Sequence, residues 1–159
     1  MTPPHAPRIV VGVDGSPSSV AGLRWALRHA RLTGGSVDAV IAWTYPVVPG
    51  AGWVPASIGD DIDFRQIAEK TLTGVVGGVA AGAADVPVRC LVEHGAPAEV
   101  LLTVAKDADL LVVGSRGHGG FADAVLGSVS QHCVRHARCP VLIVRGDHRG
   151  QPAAPVEQG

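Results

Sequence analysis

The 159-residue chain has few aromatic residues, few cysteines and little net charge. Aromatic residues are 4% of the sequence while 47% is hydrophobic, so the core must consist mainly of Val, Leu, Ile and Ala. The formal net charge of −1 argues against a nucleic-acid or anionic-membrane binder, since either would carry a basic excess. No apolar run approaches the roughly 20 residues of a membrane span. The first residues, MTPPHAPR, lack the apolar segment of a signal peptide.

The cysteines are three in number and form no C-x-x-C pair. Cys90, Cys133 and Cys139 therefore predict reduced thiols in a cytoplasmic protein rather than a disulfide framework. His132 and His136 would share one helix face close to Cys133. A carboxylate or a second cysteine at ligand spacing is missing there, so the sequence predicts no metal site.

The centre of the sequence is the glycine-rich stretch 114–128, GSRGHGGFADAVLGS, which lies between an apolar run and an amphipathic segment. Glycine lets backbone amides approach a ligand closely, and a helix start offers free N–H groups and partial positive charge. With Arg116 and Ser128 these features predict a phosphate cradle. The plainer alternative is that the glycines only close a tight turn. The stretch is not a Walker loop, because no lysine follows its last glycine.

Apolar runs alternate with helical patterns along the rest of the chain. Strands are predicted at 8–13, 37–43, 86–92, 109–113 and 140–145. Helices are predicted from Ser16 to Gly34 and at 61–84, 96–105 and 128–137. Such alternation indicates a doubly wound α/β fold, a parallel sheet with helices on both faces. Ligands of such sheets bind at the carboxyl ends of the strands, which brings Asp14 and Gly114 to one crevice.

The domain is expected to span 8–146. The Pro-rich residues 1–7 are expected to be flexible and 147–159 to form a disordered tail. A Pro- and Gly-bearing excursion at 45–61 interrupts the alternation.

Three segments resemble the nucleotide-binding branch of the universal stress protein family. They are IVVGVDGSPSS at 9–19, EHGAPAEVLLTVAKDADLLVVGSRGHGG at 93–120 and LGSVSQHCVRHARCPVLIVR at 126–145. The family signature is Gly, two residues, Gly, nine residues, Gly, then Ser or Thr, which Gly114, Gly117, Gly127 and Ser128 satisfy. The resemblance implies a flavodoxin-like (Rossmann-like) five-stranded sheet of order 3-2-1-4-5. It also implies a homodimer, which we expect to pair through the edge strand 140–145.

The resemblance further implies a regulatory module of the stress response that binds ATP with Mg²⁺ and has no catalytic residues. The implied nucleotide-binding residues are Gly12, Asp14, Trp43, Val113, Gly114, Arg116, Gly117, Gly127, Ser128, Val129 and Ser130. Simpler roles stay open for several of them. Asp14 could be a turn or capping residue, Trp43 could belong to the core, Ser130 could be an ordinary polar residue of the first helical turn, and Arg116 could be solvated.

Two other functions compete with a regulatory ATP-binding module. One is a slow ATPase or phosphotransferase using the same site, with Asp123 as the carboxylate inside the glycine-rich stretch. The chain lacks a P-loop lysine, paired magnesium carboxylates and an obvious general base. The other is a structural dimer with a degenerate site, which the intact signature disfavours.

Overall fold

The computed structural model describes residues 5–45, 62–117 and 126–146. Most of the predicted excursion, the middle of the glycine-rich stretch with His118 and Asp123, and the tail after residue 146 lie outside these residues.

A five-stranded parallel sheet forms the centre of the protein, in the predicted order β3-β2-β1-β4-β5. The strands are β1 (Arg8–Gly12), β2 (Ser36–Trp43), β3 (Val88–His94), β4 (Leu110–Gly114) and β5 (Val141–Val144). The helices are α1 (Pro17–Thr33), α2 (Phe64–Ala80), α3 (Pro97–Val104) and α4 (Ser128–His136). The doubly wound α/β architecture predicted from the alternation is confirmed.

Local signals set the helix boundaries. Ser16 caps α1, Pro17 occupies its first position, and Gly34 ends it in the left-handed conformation at φ 69°. α2 is shorter than the predicted 61–84. It begins after Asp63, whose carboxylate accepts a hydrogen bond from the Gln66 amide at 2.9 Å, and it ends at Ala80 in a series of turns.

Each face of the sheet packs against its own pair of helices. Ile9 and Val11 of β1 point towards α1 and α2, whereas Val10 between them points towards α3 and α4. This follows from the two-residue period of side chains along a strand. The α1/α2 side contains Leu23 and Leu72, and both apolar layers consist largely of aliphatic side chains, as the composition predicts.

A charge cluster lies near the amino ends of the first three strands. The buried carboxylate of Asp38 accepts hydrogen bonds from the Arg8 Nε at 2.8 Å and from the Arg89 Nη2 at 2.7 Å. Arg8 also donates to the backbone oxygen of Val104 at 2.9 Å. Burial alone would raise the pKa of Asp38, but the two guanidinium groups outweigh that effect and hold the pKa below its usual value.

The longest described helices, α1 and α2, have 17 residues each. No described helix combines the length and the apolar character that crossing a membrane requires.

Candidate functional site

A cavity of about 280 Å³ opens at the carboxyl ends of β1, β2 and β4, where α1, α3 and α4 begin. Its floor is apolar and its rim is rich in serine and glycine. Ten of the eleven predicted site residues line it. They are Gly12, Asp14, Val113, Gly114, Arg116, Gly117, Gly127, Ser128, Val129 and Ser130. The two chain regions that carry the sequence signals therefore meet at one place.

Trp43 is the predicted site residue that does not line the cavity. Its ring packs on the α1/α2 side of the sheet, with ring centroids 4.7 Å from His94 and 5.5 Å from Tyr45. Its neighbour Ala42 lines the cavity instead. Successive strand residues face opposite sides of the sheet, so at this strand end the side chain of Ala42, and not that of Trp43, faces the cavity.

Sequence reasoning missed several residues that line the cavity. The apolar floor includes Val40, Ala42 and Leu101, while Ser16, Ser19 and Pro97 come from the starts of α1 and α3. The segment DGSPSS directly after β1 carried the relevant signal, because a cluster of hydroxyls follows the end of a central strand there. Val40 and Ala42 follow from strand alternation once Asp38 is assigned to the same face.

Serines account for five of the six buried polar or charged residues that the structure describes, and Asp38 is the sixth. All five belong to the segments that bound the cavity. They are Ser16, Ser18, Ser19, Ser115 and Ser130. Every buried side-chain oxygen or nitrogen in the described ranges has a hydrogen-bond partner. The polar rim is thus a preorganised hydrogen-bond network.

The helices α1 and α4 begin at the cavity with different capping. In α1 the Ser16 hydroxyl accepts a hydrogen bond from the Ser19 amide at 3.4 Å. In α4 the capping position is Gly127, which has no side chain. The amides of residues 128–130 find no acceptor within the described part of the chain. The start of α4 therefore presents three free donors and the partial positive charge of the helix.

Two of the site glycines allow close approaches across the cavity. A Cβ at Gly117 would lie 2.8 Å from Oδ2 of Asp14, and a Cβ at Gly12 would lie 2.9 Å from a Leu101 methyl carbon. The other Asp14 carboxylate oxygen accepts the Ser16 amide at 2.8 Å. Gly127 donates its amide to the Ser115 carbonyl at 2.7 Å, which joins the two ends of the glycine-rich stretch.

The cavity combines an apolar floor with a rim of anion-binding groups. It can take a flat, weakly polar group against Val40, Ala42 and Val113, and anionic oxygens at the start of α4. Among the described residues that line it, Asp14 is the only carboxylate, and none is a lysine or a histidine. In the described ranges no three His, Cys, Asp or Glu side chains come together as a metal site.

The cysteines are all free thiols. Cys133 is fully buried in α4, and its burial, with a smaller contribution from Cys139, raises the pKa of its thiol to about 11. Cys133 is therefore protonated at neutral pH and is a poor nucleophile.

Comparison with known proteins identifies the family of this chain. The sequence model of the universal stress protein family matches residues 6–145. The chain belongs to the universal stress protein family. It is 38% identical over 149 residues to a universal stress protein of Mycobacterium tuberculosis, covering 90% of this chain and 45% of the relative. This universal stress protein thus spans about half the length of the curated relatives it matches.

Solved structures give the same fold. A universal stress protein in complex with cAMP is 28% identical, with a TM-score of 0.57 over 89% of this chain and 98% of the other. A family member from Arabidopsis thaliana with AMP bound is 22% identical, with a TM-score of 0.59 over 94% of this chain and 97% of the other.

Proposed function

We propose that this universal stress protein binds an adenine nucleotide, ATP with Mg²⁺, in the cavity and acts as a regulatory nucleotide-binding module. One observation carries the proposal. The uncapped start of α4 faces the ends of β1 and β4, and its first three amides have no acceptor among the described residues. Nearby lies Gly117, where a side chain would displace Asp14. Backbone donors at a helix start are well suited to phosphate oxygens.

Each part of the cavity has a matching part of the nucleotide. The apolar floor would hold the base. Ala42 would make the contact that the family resemblance implied for Trp43. Asp14 lies beside Gly117 and would accept hydrogen bonds from ribose hydroxyls. The amides of residues 128–130 and the Arg116 cation would hold the phosphates. Mg²⁺ would arrive with the phosphates and keep most of its water ligands, because the lining residues supply a single carboxylate.

The family comparison supports the choice of an adenine nucleotide. The structure with cAMP is 28% identical and aligns with 98% of that chain. The cyclic ligand carries one phosphate, whereas three amides and Arg116 provide room for more anionic oxygens. This difference is the reason for proposing ATP rather than a monophosphate.

Calorimetry of MgATP, AMP and cAMP binding tests the proposal, together with identification of any nucleotide released on denaturing the purified protein. Gly117→Val should abolish binding, because the added side chain occupies the approach to Asp14. Gly77→Val in α2 is the matched control, since a Cβ there meets nothing within 4 Å. Unchanged ATP affinity in a folded Gly117→Val protein would rule out this site.

We further propose a homodimer paired through β5. Val141–Val144 is a sheet edge of four aliphatic residues, each half-buried in the single chain. An open apolar edge invites pairing with another strand, and antiparallel pairing with a second copy would satisfy its free backbone groups. Ile143→Lys should yield monomers in sedimentation velocity. Ile67→Lys, at an exposed position of α2, is the control and should leave the dimer intact.

We also propose that the protein acts in the cytoplasm and that an unidentified protein partner recognises the nucleotide-bound form. Amide hydrogen exchange at residues 114–117 and 126–130, measured with and without MgATP, would test whether the cavity changes on binding. Equal exchange with and without saturating MgATP would contradict a regulatory role.

A further inference from the structure

Ser18 links the first turn of α1 to residues 114–117, the arm with which the glycine-rich stretch begins. Its hydroxyl donates a hydrogen bond to the Arg116 carbonyl and accepts one from the Arg116 amide at 3.4 Å. The Ser16 hydroxyl reaches the same carbonyl at a longer distance, 3.3 Å. Ser18 is only 5% exposed, so water does not readily replace these bonds.

The surrounding backbone is built around this contact. A Cβ at Gly114 would collide with the Ser18 hydroxyl and lie 2.9 Å from both the Ser18 carbonyl carbon and the Ser19 amide nitrogen. A Cβ at Gly146, after β5, would lie 3.5 Å from the Ser18 amide nitrogen. Ser18 thus sits where the ends of β4 and β5 meet α1.

Ser18 does not itself line the cavity, although Ser16, Ser19 and Arg116 do. Among the described residues the Ser18 hydroxyl bonds only to Arg116, so the hydroxyl would act on a ligand through the backbone of Arg116. That backbone continues directly to Gly117, which approaches Asp14, and it follows Ser115, whose carbonyl accepts the Gly127 amide. The position of residue 116 therefore affects both the approach of Gly117 to Asp14 and the hydrogen bond between Ser115 and Gly127. These two contacts lie at the part of the cavity where the phosphates are proposed to bind.

We propose that Ser18 is a positioning residue that holds the 114–117 arm in its nucleotide-accepting conformation. The proposal rests on the proposed nucleotide site. Loss of the hydroxyl leaves the Arg116 carbonyl with the longer Ser16 bond and lets the arm move away from Asp14. A hydrogen bond of this kind contributes a net ~1 kcal/mol, so a factor of about five in the conformational equilibrium is at stake.

Trypsin tests the conformational part without any nucleotide. The Arg116–Gly117 peptide bond is a tryptic site, and its carbonyl is the group that Ser18 holds. Ser18→Ala should speed cleavage after Arg116 about fivefold or more relative to cleavage after Arg24 within α1. Leu72→Ala, which opens a cavity beneath α2, is the control for general loss of stability. An unchanged cleavage ratio in Ser18→Ala would overturn the proposal.

Calorimetry tests the binding part. In wild type, MgATP binding establishes the proposed function, and its absence would overturn both proposals. Ser18→Ala should bind MgATP more weakly, by at most about fivefold, because the affinity falls with the fraction of protein whose arm stays in the competent conformation. Ser18→Thr should recover most of the affinity, and Leu72→Ala should bind like wild type below its unfolding temperature. Wild-type affinity in Ser18→Ala would overturn the positioning role alone. If Ser18→Ala does not fold, Ser18→Cys, a weaker donor, is judged by the same criteria.

Discussion

The two ends of the sheet differ in how fully their polar groups are hydrogen-bonded. At the amino ends of the strands, the Asp38 carboxylate is matched by Arg8 and Arg89, and Arg8 satisfies the Val104 carbonyl as well. At the carboxyl ends, the buried serine side chains are also hydrogen-bonded, and Ser16 caps α1. The start of α4 has no side-chain cap, and its first amides have no acceptor within the described residues.

The difference agrees with the proposal that one end of the sheet stabilises the fold and the other binds a ligand. Polar groups that hydrogen-bond to one another hold the strands together, and they leave no free donor or acceptor for a ligand. Donors held in place without a partner are costly when buried and favourable once an anion arrives. The contrast between α1 and α4 isolates this effect, since both helices start at the same cavity and only one has a side-chain cap.

The strongest way to break the contrast is to give α4 a cap of its own. Gly127 has φ −70° and ψ 166°, and a Cβ there makes only ordinary contacts, so other residues can be accommodated. Gly127→Asp should lower MgATP affinity by about 100-fold or more, or ~2.7 kcal/mol, because the carboxylate occupies the amides and repels phosphate. Calorimetry measures the loss.

Gly127→Ser is the control for the added side chain. It introduces a neutral cap, so its loss of affinity should be smaller than that of Gly127→Asp. Equal affinities for wild type, Gly127→Ser and Gly127→Asp would mean that phosphates do not bind at the start of α4.

The charge cluster at the amino ends of the strands can be disrupted by removing its central carboxylate. Asp38→Asn should cost about 2 kcal/mol of unfolding free energy at pH 7, because it leaves two guanidinium groups beside a neutral amide. The pKa of Asp38 is lowered in the folded state, so its contribution is present above the usual value of 3.8 and is lost as pH falls through the lower folded pKa.

Urea unfolding of both proteins from pH 7 to pH 3 measures this effect. The difference between wild type and Asp38→Asn should be largest near neutrality and should shrink below about pH 4. MgATP affinity should stay the same, since the cluster lies at the far end of the sheet. A constant difference across the range would contradict the assigned role of the ion pairs.

The contrast can be sharpened by removing the cap of α1. Ser16→Ala should cost ~1 kcal/mol of unfolding free energy, the usual value of an N-cap hydroxyl. Ser128→Ala at the start of α4 should cost less, because no capping bond of that helix uses its side chain. Thermal or urea unfolding measures both, and a larger loss for Ser128→Ala would reverse the assignment of capped and uncapped helices.

The smallest expected effect concerns the rate of ATP hydrolysis. We expect ATP hydrolysis at about 10⁻³ s⁻¹ or below, against ~1–100 s⁻¹ for kinases, because donors that hold ground-state phosphates supply no base to orient water. Phosphate release under saturating MgATP measures it. Asp123, outside the described residues, is the main alternative base. A rate near 1 s⁻¹ that collapses in Asp123→Ala would favour an enzyme over a regulatory module.

The sequence determined most of the fold, since its signals are local. Capping at Ser16, the left-handed Gly34 and the alternation of strands and helices follow from neighbouring residues, and the structure confirms them. The 61–84 helix was predicted too long because Ala81, Ala83 and Ala84 favour a helix, whereas the chain leaves the helix after Ala80 and turns at Gly82. The four residues of the family signature line one cavity, together with six others that the resemblance implied; that they bind a nucleotide stays a prediction.

Tertiary structure decided which side chains face that cavity and which groups stay unsatisfied. Trp43 and Ala42 are adjacent in sequence, but the sheet sends one to each layer, and only the packing of helices on each face tells the two layers apart. The bonds from Ser18 to Arg116 join residues 98 positions apart. Contacts of that separation depend on how the strand ends are brought together, so no local pattern in the chain specifies them.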